Sequence, residues 1–134
     1  MLFRSEDWRY EVHKRLKKLV TDFSSHSDGS VEMEIRIGYP CLINDKKMTE
    51  AAASSARRYL GPDNVVSLDV WMASEDFAFY SQKIPACFYR IGTGNPEKGI
   101  TSTVHTPTFN IDEDALGIAP GMMAWIAIQL LSGD

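Results

Sequence analysis

The sequence has few of the residues that bind metals or form the disulfides that stabilise small folds. It contains three histidines and two cysteines, and Cys41 and Cys87 do not have the spacing of a CxxC pair. Neither a disulfide framework nor a cysteine zinc site is therefore expected. Basic residues are also few, because 14 Lys and Arg stand against 18 Asp and Glu, for a net charge of −4. This balance lacks the basic surface that nucleic acid requires, so we expect no nucleic-acid partner.

Long apolar runs are scarce as well. The most apolar stretch, residues 115–131, is interrupted by Gly117, Pro120 and Gly121 and is shorter than the ~20 residues of a membrane span. It is interpreted as a buried terminal helix. The first three residues are followed directly by charged ones, which is not the pattern of a signal peptide. These features predict a cytoplasmic protein with no membrane partner.

Helical and strand patterns alternate along the 134 residues, and this order is typical of the α/β (α+β) class. Polar capping residues followed by apolar residues at spacings of three and four predict four helices, which begin after Ser5, around Asn44-Asp45, at Ser74-Glu75-Asp76 and after Asp112. Alternating or continuous apolar residues predict three strands, at 31–37, 65–70 and 86–91. Proline 120 is expected to kink the last helix or to delay its start.

The predicted inward faces are clearest for the first and last helices. The first helix carries an apolar stripe of Trp8, Val12, Leu16, Leu19, Val20 and Phe23. The last is expected to pack Leu116, Ile118, Met122, Met123, Trp125, Ile126, Ile128, Leu130 and Leu131. One helix and one alternating strand cannot bury their own apolar faces. The first ~43 residues are therefore interpreted as half of a small domain.

Three segments carry candidate functional residues. His105 lies in a polar loop, where an imidazole suits metal binding or acid–base chemistry, although on the residues alone a solvated surface histidine is the favoured interpretation. Glu75 and Asp76 place paired carboxylates at a predicted helix start, where helix capping alone would account for them. Gly92, Thr93 and Gly94 follow a predicted strand, at a position where ligands often bind. The GxGxxG continuation of a dinucleotide site is absent.

Taken together and in order, these motifs resemble one family. The sequence contains Gly38-Tyr39-Pro40, then Met72-Ala73-Ser74-Glu75-Asp76-Phe77, then Ile91-Gly92-Thr93-Gly94-Asn95, then His105-Thr106-Pro107 followed by residues 112–116, Asp-Glu-Asp-Ala-Leu. This series is similar to that of the metal-dependent amidohydrolases that include N-acyl-amino-acid amidohydrolases, hippurate hydrolase, auxin-conjugate hydrolases and carboxypeptidase G. The resemblance covers nearly the whole chain.

The resemblance implies part of a two-domain zinc-peptidase-like enzyme. Residues 1–43 match the second half of a lid or dimerisation domain, and residues 44–134 match the C-terminal segment of a catalytic domain. His105 matches a ligand of a divalent metal such as zinc or manganese. Glu75 and Asp76 match a loop close to the active site, and residues 92–94 match a loop of the substrate pocket. The substrate implied is an N-acyl amino acid or short peptide.

The remaining metal ligands and the general base of that family have no counterpart in this sequence, so no catalytic residue is assigned. We therefore expect this chain alone to bind a catalytic metal poorly and to lack amidase activity. The alternative is a non-catalytic interaction or dimerisation module derived from the same family. Such a module would use the predicted strand 31–37 to pair edge to edge in a homodimer.

Overall fold

The computed structural model describes residues 5–27 and 29–132, and these are mainly helical. Helix α1 spans Glu6–Ser25, α2 Lys46–Leu60, α3 Ala78–Ser81 and α4 Ala115–Ser132, and two short 3-10 helices span Pro62–Asn64 and Pro96–Lys98. The chain divides into two compact units. The first comprises the described residues up to Ile43 together with Asp69–Pro85, and the second comprises Asn44–Leu68 together with the described residues from Ala86 onward.

The first unit ends at residue 43 and also takes in residues 69–85. The predicted division places residues 69–85 with the rest of 44–134. The assignment of the two parts to a lid and a catalytic domain stays a prediction.

Helix α1 begins where the sequence predicts. The Ser5 hydroxyl accepts a hydrogen bond from the Trp8 backbone N–H at 3.3 Å, and Glu6 and Asp7 occupy the first turn, where carboxylates complement the helix dipole. The predicted burial of the apolar stripe is wrong for its larger members, since the structure leaves Trp8, Leu19 and Phe23 more than half exposed. An apolar stripe is buried only where another element covers it.

The buried residue of α1 is instead a charged one. Arg9 is 7% exposed, and its guanidinium donates to the Tyr39 carbonyl at 2.7 Å and lies 3.2 Å from the Glu6 carboxylate. Glu6 in turn accepts from the Cys41 backbone N–H at 2.7 Å. This pair therefore fastens the chain around residues 39–41 to the start of α1, which is how a buried charge is usually accommodated.

Helix α3 is shorter than predicted. The structure begins it at Ala78, after the N-cap residue Phe77, whose side chain makes no capping hydrogen bond, so the predicted capping by Ser74-Glu75-Asp76 is wrong. The Glu75 carboxylate accepts from the Phe77 backbone N–H at 3.3 Å within the preceding turn. Gln82, just after the helix, donates to the Cys41 carbonyl at 3.0 Å and holds residues 41 and 82 together in the first unit.

The core of the second unit lies between α2 and α4. Helix α2 begins at the predicted cap, where the Asp45 carboxylate accepts from the Met48 N–H at 2.9 Å, and it ends at Gly61, whose φ of 88° favours glycine. Small residues of α2 meet larger ones of α4. The buried cluster consists of Ala52, Ala56, Met122 and Ile126, with Leu60, Val65, Cys87, Tyr89 and Ile91 packed against it.

Helix α4 begins at Ala115, and Pro120 lies inside it, so a delayed start near Pro120 is not observed. The expectation of a fully buried terminal helix is also wrong. Leu116, Met123, Ile128 and Leu131 are all more than half exposed, because α2 covers only one face. By length and composition alone, α4 meets the criteria for a membrane span, with a mean hydropathy of 1.6, and core helices of soluble proteins meet them too.

The predicted strands at 31–37, 65–70 and 86–91 are not confirmed. Within the described residues these segments carry no strand assignment, and the structure records one isolated antiparallel bridge, between Asn95 and Ile100. Alternating apolar residues determine which side of an extended chain is apolar, but a strand also needs a neighbouring backbone to pair with. The helices are therefore confirmed, and the sheet of the α/β class is not.

One of these segments, residues 86–91, is nevertheless held by a side chain that makes the hydrogen bonds which a neighbouring strand would make. The Asn44 amide accepts from the Phe88 N–H and donates to the Phe88 carbonyl, both at 2.8 Å. The adjacent Asp45 N–H donates to the Ala86 carbonyl, also at 2.8 Å. These three bonds fix residues 86–88 at the beginning of α2, and the segment then continues to residues 92–94.

Candidate functional site

A cavity of about 150 Å³ lies beside the loop that the sequence marks as a ligand site. It forms because residues 91–94 run past the beginning of α4. Its lining consists of Ile91, Gly92, Thr93, Gly94, Asp112, Asp114, Ala115 and Ile118. The structure thus brings all three of the predicted pocket residues Gly92, Thr93 and Gly94 to one concave surface, together with two carboxylates that the sequence did not assign to it.

The two walls of the cavity are joined by hydrogen bonds. The Asp112 backbone N–H donates to the Thr93 carbonyl at 2.8 Å, and the Asn95 side-chain amide donates to the Asp112 carboxylate at 2.6 Å. Lys98 donates from its ammonium group to Asp112 and to Asp114, each at 2.7 Å. Both oxygens of Asp112 are therefore occupied.

This environment favours the charged form of Asp112. The hydrogen bond from Lys98, followed by the one from Asn95, lowers the pKa of Asp112 to about 2. The two carboxylates raise the pKa of Lys98 in return. The Asp112 side chain is only 14% exposed, so the salt bridge with Lys98 is screened less than one between fully solvated groups. The cavity consequently keeps the Asp112 carboxylate charged at neutral pH.

The depressed pKa of Asp112 predicts acid-sensitive stability. A group whose pKa is lower in the folded state stabilises the fold above its unfolded pKa, which is near 3.8, and this contribution is lost as the pH falls toward about 2. Between pH 5 and pH 2.5 the free energy of unfolding should therefore fall further in the unsubstituted chain than in Asp112→Asn. Urea denaturation at both pH values measures the difference. Equal losses in the two proteins would contradict the prediction.

His105 occupies an unusual backbone position. Its φ is 65°, and among the described residues it is the one non-glycine with a positive φ. Its side chain is exposed in a turn. Left-handed backbone at a residue with a Cβ costs free energy and is often found at functional positions. No group of three or more His, Cys, Asp or Glu side chains that could hold a metal occurs in residues 5–27 and 29–132. The described residues therefore do not form a metal site by themselves.

Glu75 and Asp76 are not part of the cavity lining. They belong to the first unit, whereas every lining residue belongs to the second. Asp76 is exposed and Glu75 is half-buried. Their proposed place near an active site stays a prediction.

Lys98 was not predicted as a site residue. The sequence pattern indicates that Asn95 ends a glycine-containing motif and that Asp112 caps a helix, and it indicates no role for the lysine between them. The available signal was an Asn-Pro pair that starts a short helix, followed by the isolated lysine and Gly99. The pairing of Lys98 with residues 112 and 114 depends on how the intervening loop folds back, and no local pattern encodes that.

Comparison with known proteins identifies the class. Residues 6–128 match the family described as Peptidase family M20/M25/M40, and the chain belongs to this family. The "IAA-amino acid hydrolase ILR1-like 6" of Arabidopsis thaliana is 42% identical over 127 residues, which are 92% of this chain and 27% of that protein. No solved structure matches the chain.

Two bacterial relatives extend this pattern. The "Uncharacterized hydrolase y4tI" of Sinorhizobium fredii is 32% identical over 92% of this chain and 30% of its own length. The "Putative amidohydrolase YhaA" of Bacillus subtilis is 28% identical over 92% of this chain and 31% of its own length. The chain thus spans about a third or less of the relatives it matches, and all three are named hydrolases. The resemblance to an amidohydrolase family is confirmed.

Proposed function

We propose that this chain supplies the last third of a metal-dependent amidohydrolase that cleaves the amide bond of N-acyl amino acids or short peptides. The family match over residues 6–128 carries the proposal, and relatives named as an amidohydrolase and as an IAA-amino acid hydrolase support the type of bond. The cavity at residues 92–94 supports it further, because it is lined by the loop that resembles a family substrate pocket.

In this proposal His105 contributes one ligand to a site whose other ligands lie outside this sequence. A bound divalent metal such as zinc or manganese would supply Lewis-acid activation of the amide carbonyl and of a water molecule. The φ of 65° at His105 supports a role beyond stability, since the exposed imidazole brings no packing that would offset the cost of that backbone conformation. The general base has no candidate in this chain.

The proposal predicts that the purified 134-residue chain hydrolyses neither N-acetyl- nor hippuryl-amino acids, with or without added zinc or manganese. The reason is that three or four protein ligands are needed to hold a catalytic metal. Release of free amino acid, measured by ninhydrin or by chromatography, tests this. Hydrolysis that follows the chain through purification and disappears with a chelator would contradict it.

A chimera tests the positive half of the proposal. Residues 6–128 would replace the matching segment of the Arabidopsis relative, and hydrolysis of an indole-acetyl amino acid would be measured. We expect activity to be retained, and His105→Ala in the chimera to reduce kcat/KM by at least about 100-fold. His26→Ala is the matched control, since His26 lies in a solvent-exposed turn. Equal effects of the two substitutions would contradict the role of His105.

The dimerisation alternative has less support. The relatives described above are named as hydrolases, and none of those three names indicates an interaction module. A homodimer, like the cytoplasmic location, stays a prediction.

A further inference from the structure

The loop that lines the cavity is closed on itself by a turn. The Asn95 and Ile100 backbones exchange two hydrogen bonds of 2.8 Å, and the Asn95 side chain accepts from the N–H groups of Glu97 and Lys98 at 3.1 and 3.3 Å. Gly99, with a φ of 71°, completes the reversal in a conformation that favours glycine. Residues 95–100 are thus a small preformed turn, and Lys98 projects from it.

Connections from this turn to the beginning of α4 come from two side chains. Asn95 provides one hydrogen bond, to Asp112, and Lys98 provides two ion pairs, to Asp112 and Asp114. One backbone bond, from the Asp112 N–H to the Thr93 carbonyl, lies between the two cavity walls themselves. Solvent reaches the Lys98 side chain more easily than the Asp112 side chain, because Lys98 is half exposed and Asp112 is mostly covered.

We propose that the ion pairs of Lys98 with Asp112 and Asp114 hold the Gly92–Gly94 wall of the cavity against the beginning of α4. We call this arrangement the clasp. The cavity is then shaped by ion pairs within the fold, before any ligand enters it. The clasp goes beyond the proposed hydrolytic function and does not depend on it, since it concerns how the loop is held and not what the cavity binds.

The alternative is that the ion pairs are ordinary surface salt bridges, which contribute little. Two features argue for the clasp. Lys98 bridges two carboxylates from a single ammonium group, and charge-assisted bonds that share partners in a network are stronger than isolated pairs. In addition, the same Asp112 carries both the Lys98 bond and the backbone bond to Thr93. Release of Lys98 therefore acts directly on the residue that joins the walls.

Amide hydrogen exchange of the 134-residue chain, followed by NMR, tests the proposal without any ligand. In Lys98→Met the Asp112 N–H should exchange about 3- to 10-fold faster, because the ion pairs that hold Asp112 and Asp114 in place are gone. Lys98→Arg, which keeps the cation and its donors, should restore most of the protection. Lys46→Met is the matched control, since Lys46 is an exposed residue of the same unit whose carboxylate partner, Glu50, lies 3.9 Å away.

Two further measurements keep the test decisive if Lys98→Met loosens the whole unit. Exchange at Ala56, in the core of the second unit, serves as the internal reference, so only acceleration beyond that reference supports the clasp. Asp114→Asn removes one of the two ion pairs at a residue that is 79% exposed, and it should give a smaller acceleration, of about 2- to 3-fold. If neither substitution accelerates Asp112 exchange beyond that in Lys46→Met, the proposal is overturned. Because no substrate is used, this result is independent of the hydrolysis assays.

Discussion

Replacing Gly121 with alanine is expected to lower the free energy of unfolding by about 1 kcal/mol, the lower end of the cost of overpacking, because the contact is with the outer end of the Tyr59 side chain, which is 42% exposed. Gly121 lies in α4 where Tyr59 of α2 rests on the helix. A Cβ added at Gly121 would overlap the Tyr59 hydroxyl and would lie 3.2 Å from its Cζ atom. Helix propensity favours alanine over glycine, so the predicted loss comes entirely from this contact. Urea denaturation followed by circular dichroism measures it.

Gly117 provides the matched control on the same helix. A Cβ added there meets no atom within 4 Å, so Gly117→Ala should stabilise the chain by about 0.5 to 1 kcal/mol, the difference in helix propensity. Tyr59→Phe removes the overlapping hydroxyl and should recover more than half of the stability lost in Gly121→Ala. A Gly121→Ala variant as stable as Gly117→Ala would contradict the packing of α2 on α4.

Asn44→Ala should destabilise the second unit by about 2 to 3 kcal/mol, because it removes two hydrogen bonds and leaves two backbone groups of Phe88 without these partners. The side-chain amide carries its acceptor and its donor on two separate atoms, so one residue can bond the N–H and the carbonyl of Phe88 at the same time. Asn44→Asp keeps the acceptor but loses the donor, and it places a charge beside the Phe88 carbonyl. Asn44→Asp should therefore lose at least half as much stability as Asn44→Ala does.

Asn64→Ala is the control for this prediction. Asn64 makes one hydrogen bond, to the Leu60 carbonyl at 2.8 Å, in an exposed setting, where water replaces the lost partner and the cost should stay below about 1 kcal/mol. The informative quantity is the ratio of the losses in free energy of unfolding caused by Asn44→Ala and Asn64→Ala, measured by the same denaturant titration. Equal losses would show that the Asn44 amide does not substitute for a neighbouring strand.

Local patterns predicted those features that depend on neighbouring residues. Ser5 and Asp45 cap helices as expected, because a capping side chain bonds to an N–H only two or three residues away. Gly61 ends α2 for another local reason, because its φ of 88° is a conformation that favours glycine. The assignment of Gly92–Gly94 to a substrate pocket stays a prediction. The family resemblance also came from the sequence, since it rests on the order and spacing of short motifs.

Features that depend on distant residues were not predicted. Leu131 and Trp8 belong to apolar stripes, but whether a stripe is buried is determined by what covers it, and both are exposed. Arg9 is polar and is buried, because Glu6 and the Tyr39 carbonyl meet it.

The sequence by itself places its three histidines far apart, at positions 13, 26 and 105, and from this we expect that the chain alone does not hold a catalytic metal. Tertiary structure alone decided that Lys98 reaches Asp112 and Asp114 across an intervening loop. It also decided that Asn44 holds residue 88 in place of a strand. The physical reason is common to both: caps and turns satisfy polar groups within a few residues, whereas ion pairs and packing between distant segments exist only after the chain has folded back on itself.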